Sequence, residues 1–509
     1  MNITNQMFPL PTSYSGTAKL QDQLATLQAQ LSSGQKAQTL ADMGTVRYTD
    51  LTVRSQLTRM TAYDTNINTV NLRLNTMNTV LGTLGSVTTT ARTAVTPGVY
   101  GTSNLNLGTM PTTSGQQLDQ VLSSLNTDLN GHYLFGGGAT DKAPLSTYDT
   151  IMNGSGGLDG FKTVAAQRLQ ADQGADGLGR LSLATATNTT TLTEDNTIFG
   201  MKLSSVSQSG TSATLTQPVG APAALSVQFA SQPTAGDTVT IGLKLPDGTT
   251  DSVTMKAVTS TPANPGEFQI GTTTSDTAAN FQTALTSSLK TEGQTAIAAA
   301  SNYAAATNFF NGQGQTIQRP AVDTTTNTYY AATGYESATQ AANTTVKWYN
   351  GEDSGGQARA SVSTKVDDNT NVSYGVEADE SGPLNLVRAL AVQAIQTYPT
   401  TDTATTAVSQ AKYDAIANRQ IDTLSAANDS SSGSIASIGV DLGLAQTTLK
   451  NLSASHTAYG AQLQDILSNA EQADPNQVAS ELLELQTRLT ASYTATSMIS
   501  QMQLANYLK

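Results

Sequence analysis

Cysteine is absent from the 509-residue sequence, which excludes disulfides, thiolate catalysis and cysteine-based zinc sites. Histidine occurs only at His132 and His456, too few positions for a histidine-rich metal site. The sequence also lacks the Gly-x-Ser-x-Gly, phosphate-loop, dinucleotide-binding and His-Glu-x-x-His motifs. Because these residues and motifs carry much of enzyme chemistry, we expect a protein that is not an enzyme and that uses no cofactor or metal.

Charged residues are scarce. They make up 12% of the chain, about half the usual fraction, and Thr, Ser, Asn, Gln and Ala take their place. The net charge of −13, without any Lys/Arg-rich stretch, argues against nucleic-acid binding. A surface of uncharged polar groups hydrates well but repels weakly, which suits close packing of many copies. An extracellular protein with an ordinary Thr-rich surface would have the same composition, so both interpretations stay open.

Long apolar runs are missing as well. No segment approaches the roughly 18 uninterrupted apolar residues of a membrane helix, so we expect no membrane insertion. Residues 1–6 lack a basic region followed by an apolar run, and no Sec-type signal is visible. We therefore expect a protein that is either cytosolic or exported by a route that leaves no cleavable signature.

What the sequence does contain is a matching pattern of long helices near its two ends. Apolar residues recur at alternating steps of three and four, which keeps one narrow seam on a helix and requires a partner helix along it. The N-terminal seam is Met60, Tyr63, Ile67, Val70, Leu74, Met77, Leu81 and Leu84. The C-terminal seam is Ile435, Ile438, Leu442, Ala445, Leu449, Leu452, His456, Tyr459, Leu463 and Ile466. We expect the two seams to pair, so that the chain leaves from and returns to the same rod.

Shorter helical stripes flank the two seams. The N-terminal stripe is Leu20, Leu24, Leu27 and Leu31. It follows an irregular lead-in over residues 1–14 and ends near residues 32–34. The C-terminal stripe includes Leu482, Leu485 and Leu489, in a helix that begins at Asp474-Pro475 with Asp as its cap. Because such short helices are marginal in water without a partner, we expect both termini to be disordered in the monomer and to fold on assembly.

Local signals place the ends of other elements. The N-terminal seam helix should run from about residue 45 to about 95, where Pro97-Gly98 stops it. A capping box at Ser114–Gln117 predicts the start of a helix, and Asn130-Gly131 should end that helix in a tight turn. A short aromatic strand over residues 132–135 follows.

From about 150 to 380 the pattern becomes that of β structure. Val239–Leu245 alternates apolar and polar residues, Pro246-Asp247-Gly248 turns the chain, and the alternation resumes at Val253, which predicts a hairpin. A second hairpin should pair Arg359–Val366 with Val372–Val376. Further helices are predicted over residues 276–290, 384–398 and 416–424, with a Thr-rich break at 400–406.

Weak signals of binding chemistry lie in and beside this region. Asp367, Asn369 and Asn371 have the spacing of three calcium-loop ligands, but Val372 and Ala378 stand where Gly and Glu are needed. We therefore interpret them as a polar hairpin turn.

A carboxylate pair beside aromatic residues is the second such signal. Glu352 and Asp353 follow Trp348-Tyr349 and could be a carboxylate pair near a sugar-binding platform, but a turn after a buried aromatic strand is the better interpretation. His456 is interpreted as a packed seam residue and His132 as a residue beside a turn, rather than as catalytic groups.

Several segments together resemble the flagellin superfamily, and within it the hook-filament junction proteins, the hook-associated protein 3 family. The segments that carry the resemblance are Leu24–Gly34, Asn130–Gly137, Trp348–Asp353, Val372–Glu380 and Leu485–Leu508. The match covers roughly residues 1–150 and 345–509. The junction family is favoured over filament flagellin mainly by the 130–137 turn and the 348–380 stretch.

The resemblance implies a structural subunit of the bacterial flagellum that forms a ring between hook and filament. It implies export through the flagellar type III channel, an extracellular location, and self-association in the ring. The implied partners are a neighbouring flagellar hook-associated protein, flagellin and a flagellar export chaperone. A filament flagellin is the alternative, and an extracellular glycan-binding or hydrolytic β domain on a helical stalk is a third interpretation.

These patterns predict an α+β fold, with a long antiparallel bundle of N- and C-terminal helices, coiled-coil-like, and a β-rich region inserted in the middle. Residues 1–44 and 470–509 are the expected terminal helices of an inner tube. Residues 45–150 and 380–469 are the expected helical rod domain with a short hairpin. Residues 151–379 form the outer β-rich region, with a separate insert near 200–345. The apolar seam and stripe residues are expected to pack helices and subunits.

Overall fold

The fold mixes helices and sheets, with several long helices and a set of small sheets. The computed structural model describes residues 10–100, 105–261, 264–312 and 315–507. The chain divides into two compact units. The smaller unit comprises Met1–Val70, Lys365–Asn371 and Thr447–Lys509, and the larger unit comprises Asn71–Thr364 and Val372–Gln446.

The helices and strands follow one another in this order along the chain. The helices are α1 (Leu10–Ser33), α2 (Arg47–Ala94), α3 (Leu105–Leu125), α4 (Tyr148–Asn153), α5 (Phe161–Gln173), α6 (Thr274–Gln294), α7 (Ala296–Phe309), α8 (Ala338–Thr344), α9 (Ala358–Ser361), α10 (Ser381–Ala394), α11 (Thr403–Ala427), α12 (Ile435–Glu471) and α13 (Pro475–Tyr507). The strands are β1 (Asp128–Leu129), β2 (His132–Tyr133), β3 (Gly154–Ser155), β4 (Leu158–Asp159), β5 (Leu181–Ala186), β6 (Thr189–Glu194), β7 (Lys202–Gln208), β8 (Ala213–Gly220), β9 (Ala223–Phe229), β10 (Thr238–Lys244), β11 (Thr250–Val258), β12 (Glu267–Gln269), β13 (Ser363–Asp367) and β14 (Thr370–Ser373).

The two seam helices have the extent that their patterns predict. Helix α2 has 48 residues and ends three residues before Pro97, and α12 has 37 residues. Threonine is a poor helix former because its hydroxyl competes for backbone groups. In α2 the hydroxyls are satisfied within the helix: Thr61 donates to the carbonyl of Leu57 and Thr65 to that of Thr61. The threonine hydroxyls of this long helix are therefore hydrogen-bonded to its own backbone.

In the smaller unit, the two terminal helices α1 and α13 pack against each other. The amide of Gln21 donates to the Tyr493 hydroxyl at 2.6 Å. The predicted cap is confirmed, since Asp474 accepts hydrogen bonds from the backbone amides of Asn476 and Gln477. The irregular lead-in is wrong from residue 10 onward: α1 already begins at Leu10, because Pro is tolerated in a first helical turn. Residues 1–9 of the lead-in, and Leu508, lie outside the described residues.

Two four-stranded sheets are the largest sheets described in the larger unit. Their strand orders are β12-β11-β10-β7 and β5-β6-β9-β8. The predicted hairpin is confirmed, since β10 and β11 pair with Ile241 opposite Val253 and with Gly248 at positive φ in the turn. Helix α6 contacts strands of both sheets and completes their core. Phe229, Phe268 and Phe281 meet there with ring centroids 5.2–5.9 Å apart.

The helices of the larger unit pack against one another. Helix α10 packs against α3 and α11, and α7 packs against α5 and α11. Helix α7 is buried on nearly every side, as its Ala-rich sequence permits. The turn at Asn130-Gly131 is confirmed as a two-residue β-hairpin turn between β1 and β2, with φ of 55° and 79°. It does not end the helix as predicted, because α3 already ends at Leu125 and β1 lies between them.

Several predicted boundaries were wrong. Helix α3 begins at Leu105, not at Ser114, which is 1% exposed inside the helix. The apolar stripe, which continues N-terminal to Ser114, outweighs the local capping signal. Helix α11 begins at Thr403, inside the expected Thr-rich break, because the Asp402 side chain caps it. Arg359 lies in α9 rather than in a strand, although β13 and β14 do form the second hairpin.

Candidate functional site

The predicted packing residues differ in how far the single chain covers them. Those that it buries are Ile67, Val70, Leu74, Met77, Leu81, Leu84, Ile435, Ile438, Leu442, Leu449, Leu463, Leu485 and Leu489. Those that are half-buried are Leu20, Leu24, Leu27, Met60, Leu452 and Leu482. Leu31, Tyr459 and Ile466 remain 45–47% exposed. The single chain therefore covers the seams most completely from Ile67 to Leu84 and from Ile435 to Leu449, and less completely toward Met60 and Ile466.

Side chains of α2 meet side chains of α12 within the smaller unit. Nδ1 of His456 lies 3.0 Å from Oδ1 of Asp64. The His456 ring also lies beside that of Tyr63, with centroids 6.2 Å apart. With 6% of its surface exposed, His456 is the packed seam histidine that the sequence predicts.

The C-terminal end of α12 is tied to α2 and to the segment after α1. Arg54 forms ion pairs with Glu471 and with Asp50, whose side chain is fully buried. Hydrogen bonding with Asp50 is the main cause that raises the pKa of Glu471, and Arg54 opposes it. The backbone amide of Lys36 donates to the carbonyl of Glu471 at 2.7 Å, and that of Ala473 donates to Gly34 at 3.0 Å.

The same two helices also meet within the larger unit. The amide of Gln446 on α12 donates to Oδ1 of Asn75 on α2 at 2.5 Å. Two residues earlier on α2, the Arg73 guanidinium donates to the Tyr374 hydroxyl at 2.9 Å.

The segment Asp367–Asn371 is the polar hairpin turn that we preferred to a calcium loop. It contacts α2 within the smaller unit. The Tyr63 hydroxyl donates to Asp368 at 2.8 Å, and Arg59 lies 3.5 Å from the same carboxylate. The Asn66 amide donates to the carbonyl of Lys365 at 3.0 Å.

Three segments that carry the family resemblance meet in the larger unit. We call this meeting point, formed by residues 134–138, 348–354 and 375–380, the three-segment junction. Backbone hydrogen bonds hold it: Gly137 donates to Val376, Ala378 to Phe135, and Glu352 to Gly136, all at 2.9–3.0 Å.

Glycine is favoured in the first segment of the junction. The Gly138 amide donates to the Glu352 carboxylate at 2.7 Å, and a Cβ at Gly138 would lie 2.4 Å from that oxygen. Gly137 has a φ of 60°, a left-handed conformation that favours glycine. The Gly136–Gly138 run in the sequence therefore reflects close backbone contact with the other segments.

The aromatic residues of the junction are buried. Trp348 is 1% exposed and its indole N–H donates to the carbonyl of Asn311 at 2.8 Å. Tyr349 is 6% exposed and its hydroxyl donates to the carbonyl of Glu352. Neither ring can present a flat face to a sugar, which favours a turn after buried aromatic residues. The expected strand is wrong, however, because Tyr349 makes only an isolated β-bridge with Leu145.

Carboxylates cluster at the same junction. Asp353, Glu377 and Asp379 each offer an oxygen within 4.8 Å of the other two. Sequence reasoning singled out only Asp353, because the other two lie in a different segment and fit no ligand motif. Glu380 is occupied by an ion pair with Arg359, which also lies 3.3 Å from Asp441.

His132 lies apart from these groups. It is exposed in β2, and its Nδ1 lies 3.2 Å from the Thr140 hydroxyl. His132 belongs to the larger unit, whereas His456 belongs to the smaller unit.

No family model matches the chain, and a search of curated proteins finds no significant similarity. Within the described residues, no helix combines the length and the apolar character that crossing a membrane requires.

Proposed function

We propose that the chain is a structural subunit of the bacterial flagellum, which forms a ring that joins the hook to the filament. The observation that carries this proposal is the contact between α2 and α12, two helices whose partner residues are separated by hundreds of positions in sequence. The resemblance of the terminal and junction segments supplies the identity of the assembly.

The contacts run in opposite directions along the two helices of the smaller unit. Arg54 meets Glu471, and Asp64, further along α2, meets His456, which is earlier on α12. This order is that of antiparallel helices. We propose that α1, α2, α12 and α13 together form a long antiparallel bundle, as the paired seams require.

Uncovered apolar side chains support self-association. Large apolar residues that the single chain leaves exposed on α12 and α13 are Val440, Leu444, Ile466, Leu483, Met498, Ile499 and Met502, with exposures of 44–71%. Where such side chains adjoin one another, they mark an interaction surface. In a ring, neighbouring copies would cover these residues, and the low charge of the chain would limit repulsion between copies.

The location and partners follow from the same proposal. The chain would be exported through the flagellar channel without a cleaved signal and would act outside the cell. Its neighbours would be another hook-associated protein on the hook side and flagellin on the filament side, with an export chaperone before secretion. Its role would be mechanical, as an adaptor between two tubes.

Deletion of the gene tests the proposal. A strain without this chain should make hooks that carry no stable filament and should shed flagellin into the medium, and the intact gene should restore filaments. If instead the main filament protein disappears, the chain is a filament flagellin. Normal filaments and motility in the deletion strain would overturn the proposal.

A further inference from the structure

The carboxylates of the three-segment junction come close together without a common sequence motif. Asp353 follows the aromatic segment, whereas Glu377 and Asp379 lie in the segment before α10. Glu377 and Asp379 are 2% and 1% exposed, and Asp353 is exposed. Three acidic side chains thus converge on one small volume, with two of them inside the protein and the third open to water.

The hydrogen bonding of Glu377, a member of this cluster, is incomplete. Its Oε2 accepts a hydrogen bond from the backbone amide of Ser354 at 3.3 Å. Its Oε1 is buried and has no hydrogen-bond partner. Leaving an oxygen of a buried carboxylate without a partner is costly, so the site calls for a group that can supply positive charge there.

The nearby side-chain cation does not supply that charge. Arg359 pairs with Glu380 and Asp441 instead. Glu352 adds a further negative charge next to the cluster, although the Gly138 amide hydrogen-bonds to it. Burial, and to a smaller extent the charges of Asp353 and Glu352, raise the pKa of Glu377.

We propose that Asp353, Glu377 and Asp379 bind a divalent cation of the Ca²⁺ type. Ca²⁺ takes six to eight oxygen ligands in a flexible geometry, whereas Mg²⁺ keeps several waters and is usually held by only one or two carboxylates. Three carboxylate oxygens within 4.8 Å of one another therefore suit Ca²⁺ better than Mg²⁺. Three carboxylates are also a typical share of a calcium site in which carbonyls and waters complete the coordination.

A cavity beside the cluster gives the cation access and room for water. It has a volume of about 320 Å³ and is lined by Asp353 and Asp379 together with Trp348, Tyr349 and Gly312. The bound cation would fasten the segment after Trp348 to the segment before α10. This proposal is independent of the proposed function, since it concerns only the larger unit.

Terbium, a luminescent substitute for Ca²⁺, provides the test. Trp348 is the only tryptophan in the chain and lines the same cavity, so terbium emission excited through tryptophan reports binding near it. With the full chain, we expect saturable emission that Ca²⁺ displaces and Mg²⁺ displaces at least 10-fold less effectively. We also expect Ca²⁺ to raise the melting temperature by several degrees.

Two variants and a control make the result specific. Asp353→Asn, at the exposed ligand, should weaken Ca²⁺ binding at least 10-fold and leave the fold intact. Glu377→Gln should melt at the same or a higher temperature without Ca²⁺ and lose the Ca²⁺-dependent rise. Asp367→Asn, in the hairpin turn, is the control and should bind like the wild type. The proposal is overturned if Ca²⁺ gives neither displacement nor a melting shift, or if Asp353→Asn and Asp367→Asn bind equally well.

Discussion

Nδ1 of His456 lies 3.0 Å from Oδ1 of Asp64, although 392 positions separate the two residues in sequence. The histidine is nearly buried, whereas 40% of the aspartate side chain is exposed. A polar contact between residues so far apart fixes α12 against α2 at one register. Mutation of this contact therefore tests whether α2 and α12 pair.

Asp64→Ala should loosen this part of the smaller unit, because the His456 ring then loses its hydrogen-bond partner in a nearly buried site. The expected loss is about 1 kcal/mol, or about 5-fold faster amide hydrogen exchange in the peptides around residues 60–68 and 450–460. Asp465→Ala, an exposed carboxylate on α12, is the control. Equal exchange in both variants would show that the contact contributes nothing.

Leu463 and Ile466 lie on the same helix, but the single chain buries Leu463 and leaves Ile466 46% exposed. Leu463→Asp should therefore destabilise the smaller unit by about 3–5 kcal/mol and block incorporation into flagella. The fluorescence of Trp348, in the larger unit, should stay unchanged. Incorporation is measured as the amount of this chain in purified flagella.

Ile466→Asp should separate assembly from folding. Its monomer should be as stable as the wild type, yet incorporation should fall, because the exposed side chain is one that a neighbouring copy would cover. Gln464→Asp, an exposed neighbour, is the control and should incorporate normally. Full incorporation of Ile466→Asp would remove this residue from the proposed contact between subunits.

The terminal helices should be the least stable part of the monomer. Leu20, Leu24 and Leu27 are only half-buried in the single chain, and Leu31 is exposed. Limited proteolysis of the monomer should cleave residues 1–40 and 475–509 well before residues 151–379. In assembled flagella the same termini should be protected. Equal resistance of termini and middle in the monomer would contradict folding on assembly.

Glu292, on α6, should give the larger unit a pH dependence. Burial, with a smaller contribution from Asp251, raises its pKa from 4.5 to about 7. A carboxyl whose pKa is higher in the folded than in the unfolded state contributes stability at low pH, and this contribution is lost as the pH rises from about 4.5 through about 7.

Glu292→Gln should remove that loss. At about pH 8 the variant should be more stable than the wild type by on the order of 1–2 kcal/mol, after allowance for partial solvent screening, with little difference at about pH 4. Urea denaturation at the two pH values, followed by circular dichroism, measures it. Glu481→Gln, exposed on α13, is the control. A variant that is less stable at the higher pH would contradict this account.

The long helices and the main hairpin were predictable because their signals are local and repeated. The seam of α2 gave bounds of about 45–95, against the observed Arg47–Ala94. Asp474-Pro475 placed the start of α13, and Pro246-Asp247-Gly248 placed the turn between β10 and β11. In each case the signal, an apolar period, a helix cap or a turn sequence, lies in the same residues whose structure it predicts.

Helix α7 could not be recognised because it is buried on nearly every side, so its apolar residues have no period that distinguishes it from a strand. The start of α3 was misplaced because burial of the stripe before Ser114 outweighed a local cap. The cluster of Asp353, Glu377 and Asp379 was missed for a different reason. Its members come from two segments that only tertiary packing brings together. The spacing of these residues in the sequence therefore does not predict the cluster.

Electron microscopy of the flagellum, with this chain carrying a small tag between residues 247 and 248 and labelled with gold, tests the central claim most directly. Motility of the tagged strain verifies that the tag is tolerated. The account predicts gold in one narrow band at the boundary between hook and filament. Gold along the whole filament, or none on the flagellum of a motile tagged strain that expresses the protein, would contradict it.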